Sequence, residues 1–218
     1  MWGVVKEVLG IFPYSYAALS GPSFAKEVIK KLPTAITVAS KDLKIAKMAQ
    51  KILSTPYFRI YTHHDVFGVE LGGALKNVMA IAAGVSDGLD LGHNARAALI
   101  TRGLAEIMRL GKTMEADTFT FSGLSGLGDL ILSCTSPLSR NYTVGYRLGR
   151  GETLEEILSG MRMVAEGVRT AKAAYRLSLR YKVEMPVTKE VYAILYKDKQ
   201  PYEALDTLLS RKLKGEFL

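Results

Sequence analysis

Lys76 stands out among the residues that could do chemistry. It lies in the sequence ELGGALKN, inside an apolar helical pattern. A lysine there loses hydration unless a carboxylate pairs with it or a reaction uses it, so Lys76 is a candidate acid/base. The alternative is a lysine that extends its ammonium group to solvent over a crowded helix crossing. Glu70 and Asn77 are candidate local partners, and Gly72 and Gly73 indicate a closely packed neighbouring segment.

The glycine-rich sequence GLSGLGD ends at a second candidate, Asp129. Its spacing matches neither a Walker loop nor a GxGxxG turn after a strand, so we reject a nucleotide phosphate loop here. Asp129 is interpreted either as the N-cap of the following helix or as a carboxylate that pairs with a buried lysine. Cys134 follows in an apolar run without a nearby histidine, and we interpret it as a core residue.

The sequence SPLSRN predicts an anion site at the start of a helix. Ser139 occupies the N-cap position, and Arg140 and Asn141 fall in the first turn. A cation there is unfavourable because of the helix dipole, and a bound anion would remove the conflict. Free backbone N–H groups, a guanidinium group and an amide suit a phosphate monoester. The alternative is a solvated arginine.

The sequence SGPS connects a predicted strand to a predicted helix. Gly21 allows close backbone approach, and Ser23 with the free N–H groups of the helix start can receive an anion or a cofactor amide. The alternative is an ordinary turn in which Ser23 is the N-cap.

His63 and His64 are adjacent, and only His93 lies elsewhere, so we expect solvated or capping histidines and no protein-built metal site.

Two kinds of structure must position these residues. Alternating strand and helix patterns over the first 60 or so residues predict a small three-stranded α/β unit. Its predicted strands are 14–19, 35–39 and 58–61, and its predicted helices are 24–31 and 41–53. From Asp65 onward the pattern is helical, with a domain boundary near 62–65. The predicted helices are 66–89, 95–110 with Asn94 as its cap, 127–134, 140–148, 153–159, 168–181, 186–196 and 201–211.

Composition limits the class of protein. The chain has 218 residues, 48% hydrophobic, and its one cysteine excludes an internal disulfide framework. A formal net charge of +8 favours anionic ligands, yet the basic residues are scattered and are not interleaved with aromatic residues, so we do not expect nucleic-acid binding. Neither a charge-free apolar run of about 18 residues nor a secretion signal is found, so we expect a cytoplasmic protein without membrane insertion.

The ordered motifs resemble the bacterial NAD(P)-dependent glycerol-3-phosphate dehydrogenase family. They are GPSFAKEV, VELGGALKNVMAIAAGVSDGL, NARAALITRGLAEIMRLG, GLSGLGDLILSCTSPLSRN, VAEGV and EMPVTKEVY. The resemblance implies NAD- or NADP-dependent interconversion of dihydroxyacetone phosphate and sn-glycerol 3-phosphate, which feeds phospholipid synthesis. It also implies a mainly α fold, with an all-helical, 6-phosphogluconate-dehydrogenase-like substrate and catalytic domain at 65–218. A small α/β remnant of a Rossmann domain at 1–64 would precede it.

The resemblance also implies a role for each candidate residue. The catalytic residues would be Lys76 as general acid/base and Asp129, which orients it. The substrate-binding residues would be Lys76, Asp129, Gly21, Ser23, Ser139, Arg140 and Asn141. The residues near the dinucleotide would be Ala25, Arg140, Val164 and Glu166. A small phosphorylated substrate is the expected partner, together with a second copy of the chain in a homodimer.

The sequence departs from the family ahead of Gly21. Family members carry a GxGxxG-type turn that seats the cofactor pyrophosphate, and a further substrate lysine, before the GPS motif. Neither is present in this sequence. We therefore expect a dehydrogenase that lacks most of its Rossmann domain and is weakly active or inactive alone, with an open strand edge that favours dimerisation. The alternatives are a non-catalytic helical module that binds a phosphorylated metabolite or dimerises with itself, and another member of the 6-phosphogluconate-dehydrogenase-like superfamily.

Overall fold

A small mixed sheet forms the N-terminal part of the computed structural model, which describes residues 1–161 and 165–216. The strands are Ala18–Ser20 (β1), Thr34–Ala39 (β2) and Phe58–His63 (β3). The strand order is β1-β2-β3, with β1 antiparallel to β2 and β2 parallel to β3. The helices of this part are Trp2–Leu9 (α1), Ala25–Ile29 (α2) and Leu43–Leu53 (α3). Helix α3 supplies the crossover that the parallel pair β2–β3 requires.

The first strand and the turn after it differ from the prediction. Residues 14–17 lie outside β1, where the Tyr16 carbonyl accepts a hydrogen bond from Ser40 Oγ at 2.8 Å. The N-cap interpretation of Ser23 is wrong, because Phe24 occupies the N-cap position of α2. Ser23 Oγ instead donates to the Gly21 carbonyl at 3.0 Å, which closes the turn upon itself.

From Val66 onward the described residues form helices and turns, as predicted. The α-helices are Val66–Gly88 (α4), Gly92–Thr113 (α5), Asp129–Thr135 (α6), Arg140–Gly149 (α7), Leu154–Ser159 (α8), Glu166–Arg180 (α9), Pro186–Tyr196 (α10) and Pro201–Leu209 (α11). A 3-10 turn at Thr118–Ser122 and a π-helical turn at Leu124–Gly128 lead into α6. The fold is therefore mainly α, with a small three-stranded sheet. The domain boundary near 62–65 stays a prediction.

Helix α4 is the centre of the helical part. Helices α5, α6, α7, α9 and α10 all pack against it, and Asp65 caps its start by accepting from the Gly68 N–H at 2.8 Å. By length and composition α4 could cross a membrane, yet most of its apolar stretch is buried inside the protein. At the crossing with α7 the backbones touch, since a Cβ on Gly145 would overlap the Ile81 carbonyl oxygen. Burial among other helices explains why α4 is so apolar.

Several helix boundaries after α4 were predicted wrongly. Helix α5 begins at Gly92, two residues before Asn94, so Asn94 is not its cap. It also continues past Gly111 to Thr113, because Gly111 makes room for the Phe121 ring and does not end the helix. The predicted helix 127–134 is divided between the π-helical turn and α6.

The core interpretation of Cys134 is confirmed, because the residue is fully buried in the main apolar cluster.

A buried carboxylate joins α5 to the start of α10. Glu106 accepts hydrogen bonds from the Val187 N–H at 2.6 Å, from the Thr188 N–H at 3.1 Å and from Thr188 Oγ1 at 2.9 Å. Burial raises the pKa of Glu106 to about 7, although these hydrogen bonds and the charge of Arg109 oppose the rise. The carboxylate thus satisfies N–H groups that the first turn of a helix leaves without partners.

Candidate active site

Lys76 and Asp129 form a direct ion pair. Lys76 Nζ lies 2.5 Å from Asp129 Oδ1, and the two side chains are 20% and 5% exposed. Helix α4 supplies the lysine, and the first residue of α6 supplies the carboxylate. The prediction that Asp129 pairs with a buried lysine is therefore confirmed. Its N-cap interpretation is wrong, because Gly128 occupies that position.

Asp129 has a second hydrogen-bond partner besides Lys76. Its Oδ1 accepts a long hydrogen bond from Ser133 Oγ, one helical turn further along α6, at 3.5 Å. Burial raises the pKa of Asp129 above its usual range, and the Lys76 charge, the Ser133 hydroxyl and the Gly21 backbone oppose that rise. Ser133 was not among the predicted site residues, although its spacing of four residues from Asp129 on a helix was a signal for it.

An open cleft lies beside this pair. It has a volume of about 690 Å³, and its walls include Gly21, Ser23, Lys76 and Asp129. The strand end and α4 approach closely there, since a Cβ on Gly73 would lie 2.9 Å from Ser20 Oγ. The structure thus brings together four of the predicted substrate-binding residues.

Small residues permit this close packing. A Cβ on Gly72 would lie 3.0 Å from the Ser125 carbonyl oxygen, at the π-helical turn that precedes α6. Gly21 has a φ of 145°, and a Cβ there would lie 2.9 Å from Ile36 Cα. The expectation that another segment packs against Gly72 and Gly73 is confirmed, and a side chain at these positions would push the two halves of the cleft apart.

A second cluster forms where α7 and α9 begin. Ser139 caps α7 as predicted, with Oγ accepting from the Tyr142 N–H at 3.3 Å. Arg140 Nη2 donates to Glu166 Oε1 at 2.8 Å, and the Arg140 side chain is 37% exposed. The amide of Asn141 is buried, and its Oδ1 accepts from the Gly167 N–H at 2.9 Å. Arg140 is thus paired with Glu166 across the helix starts and still faces solvent.

Helix α4 connects the two clusters. Asn77 follows Lys76, and its carbonyl oxygen lies against Gly167, where a Cβ would come within 2.7 Å of it. Among the described residues, Ser139, Arg140 and Asn141 are not walls of the cleft beside Lys76. Ala25 is the first residue of α2 and is exposed. Val164, the remaining predicted residue, lies outside the described residues.

The suggested local partners of Lys76 have other roles. Glu70 accepts from the Trp2 N–H at 2.9 Å and from the Tyr16 hydroxyl, and burial together with this hydrogen bond raises the pKa of Tyr16 to about 12. The Asn77 side chain makes a long hydrogen bond, 3.4 Å, to the carbonyl of Gly73. These residues therefore hold the surrounding segments in place.

His63 takes one of the two roles expected for the histidines, a capping contact. His63 Nδ1 accepts from the Asp65 N–H at 2.9 Å, at the start of α4, and the ring stacks on His64 with centroids 4.9 Å apart. Within residues 1–161 and 165–216, no group of three His, Cys, Asp or Glu side chains could hold a metal ion.

Family models match both the N-terminal and the C-terminal part of the chain. Residues 65–206 match the family model for the C-terminus of NAD-dependent glycerol-3-phosphate dehydrogenase, and residues 1–46 match the model for its N-terminus. A protein of Solidesulfovibrio magneticus named glycerol-3-phosphate dehydrogenase (NAD(P)+) is 60% identical over 213 residues, which cover 98% of this chain and 64% of that protein. One of Geobacter metallireducens with the same name is 59% identical, over 92% of this chain and 60% of that protein.

Solved structures agree with the sequence matches. The crystal structure of glycerol-3-phosphate dehydrogenase from Coxiella burnetii superposes with a TM-score of 0.92 at 43% identity, over 96% of this chain and 64% of that one. The fold and these matches define a nicotinamide-dependent oxidoreductase class with an α/β part and a helical part. Within that class, the chain belongs to the NAD-dependent glycerol-3-phosphate dehydrogenase family. The chain spans 60–64% of the length of the relatives cited here.

Proposed function

We propose that this chain carries the substrate-binding and proton-transfer residues of a glycerol-3-phosphate dehydrogenase. The reaction would interconvert dihydroxyacetone phosphate and sn-glycerol 3-phosphate. The observation that carries the proposal is the Lys76–Asp129 ion pair, which faces an open cleft in a chain of this family. A lysine held beside a carboxylate at a cleft is suited to move a proton at a substrate oxygen.

Lys76 is the general acid/base in this proposal. It donates a proton to the carbonyl oxygen of dihydroxyacetone phosphate during reduction, and it accepts the hydroxyl proton of sn-glycerol 3-phosphate in the reverse direction. Asp129 orients the ammonium group, since the carboxylate is itself buried and bonded to Ser133. NAD or NADP, when bound, supplies or accepts the hydride. Gly21 and Ser23, on the same cleft, contact the substrate.

The second cluster supplies the phosphate site. The start of α7 offers backbone N–H groups, and Ser139, Arg140 and Asn141 surround it. Arg140 is part-exposed and its partner Glu166 is half-exposed, so this ion pair contributes little stability and Arg140 can turn towards a phosphate at small cost. Guanidinium groups bind phosphate oxygens through two parallel hydrogen bonds, which fits a substrate with a terminal phosphate.

The residues of the second cluster also fit one side of a dinucleotide. Arg140 and Glu166 present a cation and a hydrogen-bond acceptor at the surface, and Ala25 lies exposed at the start of α2. We assign Ala25, Arg140, Val164 and Glu166 to contacts with the cofactor. The sequence contains no GxGxxG turn to seat the pyrophosphate, so the chain by itself should bind the cofactor weakly and show little or no turnover.

The same proposal includes the use of the product, its place in the cell and a partner for the chain. The product sn-glycerol 3-phosphate would feed phospholipid synthesis in the cytoplasm. Strand β3 lies at an edge of the sheet, and Tyr61 on it is 47% exposed. An edge strand offers unpaired backbone groups, so we propose that the chain forms a homodimer through the small sheet.

Calorimetric titration of the purified chain tests the proposal. We expect sn-glycerol 3-phosphate to bind, and Arg140→Ala to weaken the binding at least about tenfold. Arg176→Ala is the matched control, because Arg176 is exposed on α9, ten residues beyond Glu166. Equal binding by the wild-type chain and Arg140→Ala would contradict the phosphate site.

Turnover is tested by following NADH oxidation with dihydroxyacetone phosphate, after the part of a relative's α/β sequence that this chain does not match has been joined to it. We expect measurable turnover in the joined protein and none in its Lys76→Ala variant. Substrate binding without turnover in the joined protein would favour the alternative of a non-catalytic module that binds a phosphorylated metabolite.

A further inference from the structure

An apolar cavity lies between α4, α5, α10 and α11, outside the cleft that contains Lys76. Its volume is about 280 Å³, close to the lower end of ligand pockets, which are about 300–1,000 Å³. The walls include Val85 of α4, Leu99 of α5, Val191 of α10 and Leu205 of α11. None of its wall residues is also a wall of the cleft at Lys76. The proposed dehydrogenase reaction makes no use of this cavity.

One buried polar atom on the cavity wall lacks a hydrogen-bond partner. Ser86 is 4% exposed, and its Oγ is a buried oxygen without a partner among the described residues. Serine inside a helix commonly bonds to the carbonyl oxygen four residues earlier, and here it does not. A buried hydroxyl without a partner is unfavourable, so Ser86 indicates that a polar atom of a bound molecule belongs at this point.

In the described part of the chain, three arginines and two glutamates are the charged residues that line the cavity. Arg102 and Arg109 of α5 both line it, and neither forms an ion pair within the described ranges. Arg102 donates to the Glu216 carbonyl at 3.0 Å, and Arg109 donates to the Glu184 carbonyl at 3.0 Å. Each guanidinium group has five N–H donors, and one carbonyl oxygen does not use them all. Each arginine therefore has further donors that can bind an anion.

The carboxylates that line the cavity are already engaged. Glu106 accepts hydrogen bonds from the first turn of α10, and Glu190 pairs with Lys199 at 2.6 Å. Arg211, the third arginine on the wall, pairs with Glu184. Within the described residues the hydrogen bonds of Arg102 and Arg109 go to carbonyl groups, so their guanidinium groups can attract an anionic group.

We propose that this cavity binds an aliphatic carboxylate that carries a second polar group, such as a hydroxyl or a keto group, along its chain. The carboxylate would lie at Arg102 and Arg109, the methylene groups would contact the apolar walls, and the second polar group would bond to Ser86 Oγ. This division of polar and apolar contacts follows the usual pattern of small-molecule sites.

Calorimetry with 8-hydroxyoctanoate, octanoate and 1,8-octanediol tests the assignment. We expect 8-hydroxyoctanoate to bind about fivefold more tightly than octanoate, because one hydrogen bond changes affinity by roughly that factor. The uncharged diol should bind at least about tenfold more weakly than the hydroxy acid. In Ser86→Ala the preference for the hydroxyl group should disappear, while octanoate affinity should change less than about twofold.

Three variants locate the binding. The double variant Arg102→Gln/Arg109→Gln should weaken both acids at least about tenfold, whereas Arg176→Gln, an exposed arginine on α9 that does not line the cavity, should not. Ala98→Phe should block binding of all three probes, because Ala98 lies exposed on the cavity wall and its replacement leaves the buried core intact.

Several results would overturn the proposal. One is no binding of the acids at about 5 mM, and another is equal binding by the wild-type chain and Ala98→Phe. Retention of the hydroxyl preference in Ser86→Ala would remove the role of that residue and with it the assigned ligand class. Light scattering completes the test, since loss of a dimer in Ala98→Phe would make the cavity an interface between copies of the chain.

Discussion

Lys76 Nζ and Asp129 Oδ1 are 2.5 Å apart, although 53 positions separate the two residues in the sequence. The pair joins the central helix α4 to α6, and the carboxylate is almost fully buried while the lysine reaches the cleft. Removing one member of such a pair leaves the other charge partly desolvated and without compensation. The pair should therefore show strong energetic coupling, whatever its role in the reaction.

Asp129→Asn should lower the free energy of unfolding by roughly 2–4 kcal/mol, because it leaves the Lys76 charge without its partner. The double variant Lys76→Met/Asp129→Asn should lose less than the sum of the two single variants. Urea unfolding followed by circular dichroism measures all three. Arg211→Met, which breaks a more exposed ion pair with Glu184, is the control and should cost less than about 1 kcal/mol. Additive losses in the double variant would show that the two charges are not coupled.

Asn141 offers a way to separate stability from phosphate binding. Asn141→Ala should cost about 1–3 kcal/mol, since it leaves the buried N–H of Gly167 without an acceptor. Asn141→Asp keeps an acceptor for that N–H and should retain more of the stability. The added negative charge beside Arg140 should nevertheless weaken binding of sn-glycerol 3-phosphate at least about tenfold. If Asn141→Asp binds the substrate as tightly as the wild-type chain, Asn141 does not lie at the phosphate.

The crossing of α4 and α7 should be intolerant of a single methyl group. A Cβ on Gly145 would overlap the Ile81 carbonyl oxygen, so Gly145→Ala should cost about 1–3 kcal/mol despite the better helix propensity of alanine. Gly3→Ala is the matched control, because nothing lies within 4 Å of a Cβ there, and it should be neutral or slightly stabilising. Thermal unfolding of both variants makes the comparison. A stable Gly145→Ala protein would mean that the two helices separate easily.

The sequence predicted the helices well where an apolar stripe or a clear terminal signal was present. Helix α10 was predicted with its observed bounds, since Pro186 occupies its first position and the apolar pattern ends at Tyr196. Prediction failed where tertiary contacts override local signals. Gly111 resembles a helix end, yet it is a contact point for Phe121, and Ser23 resembles a cap, yet it bonds to Gly21.

The sequence allowed the residues of the candidate site to be singled out, but it did not predict the contacts between them. Lys76 and Asp129 could be singled out because each is a charge in an apolar context, and their pairing was one of two interpretations. Nothing local indicates that the Arg140 guanidinium meets Glu166, or that Asn141 bonds to the Gly167 N–H, because each contact spans 26 residues of chain. Such contacts depend on how α7 and α9 pack against α4, which only the folded chain determines.

Glu106 should make the stability of the chain depend on pH. Burial raises the pKa of Glu106 from 4.5 to about 7 in the folded chain. Because the folded state holds this proton more tightly than the unfolded state, the stabilising contribution is complete below about pH 4.5 and is lost as the pH rises through about 7. Between these values the free energy of unfolding should fall by up to about 1.4 kcal/mol per pH unit from this group alone.

Urea unfolding of the wild-type chain and of Glu106→Gln, at about pH 5, 6 and 7, tests this prediction. Glutamine has a similar size and does not titrate, so the variant should lose the Glu106 part of the slope. All other titratable groups are present in both proteins, so the difference between the two curves isolates Glu106. If the two curves stay parallel, the Glu106 carboxylate is ionised across the whole range, and its hydrogen bonds to the first turn of α10 outweigh the cost of burial.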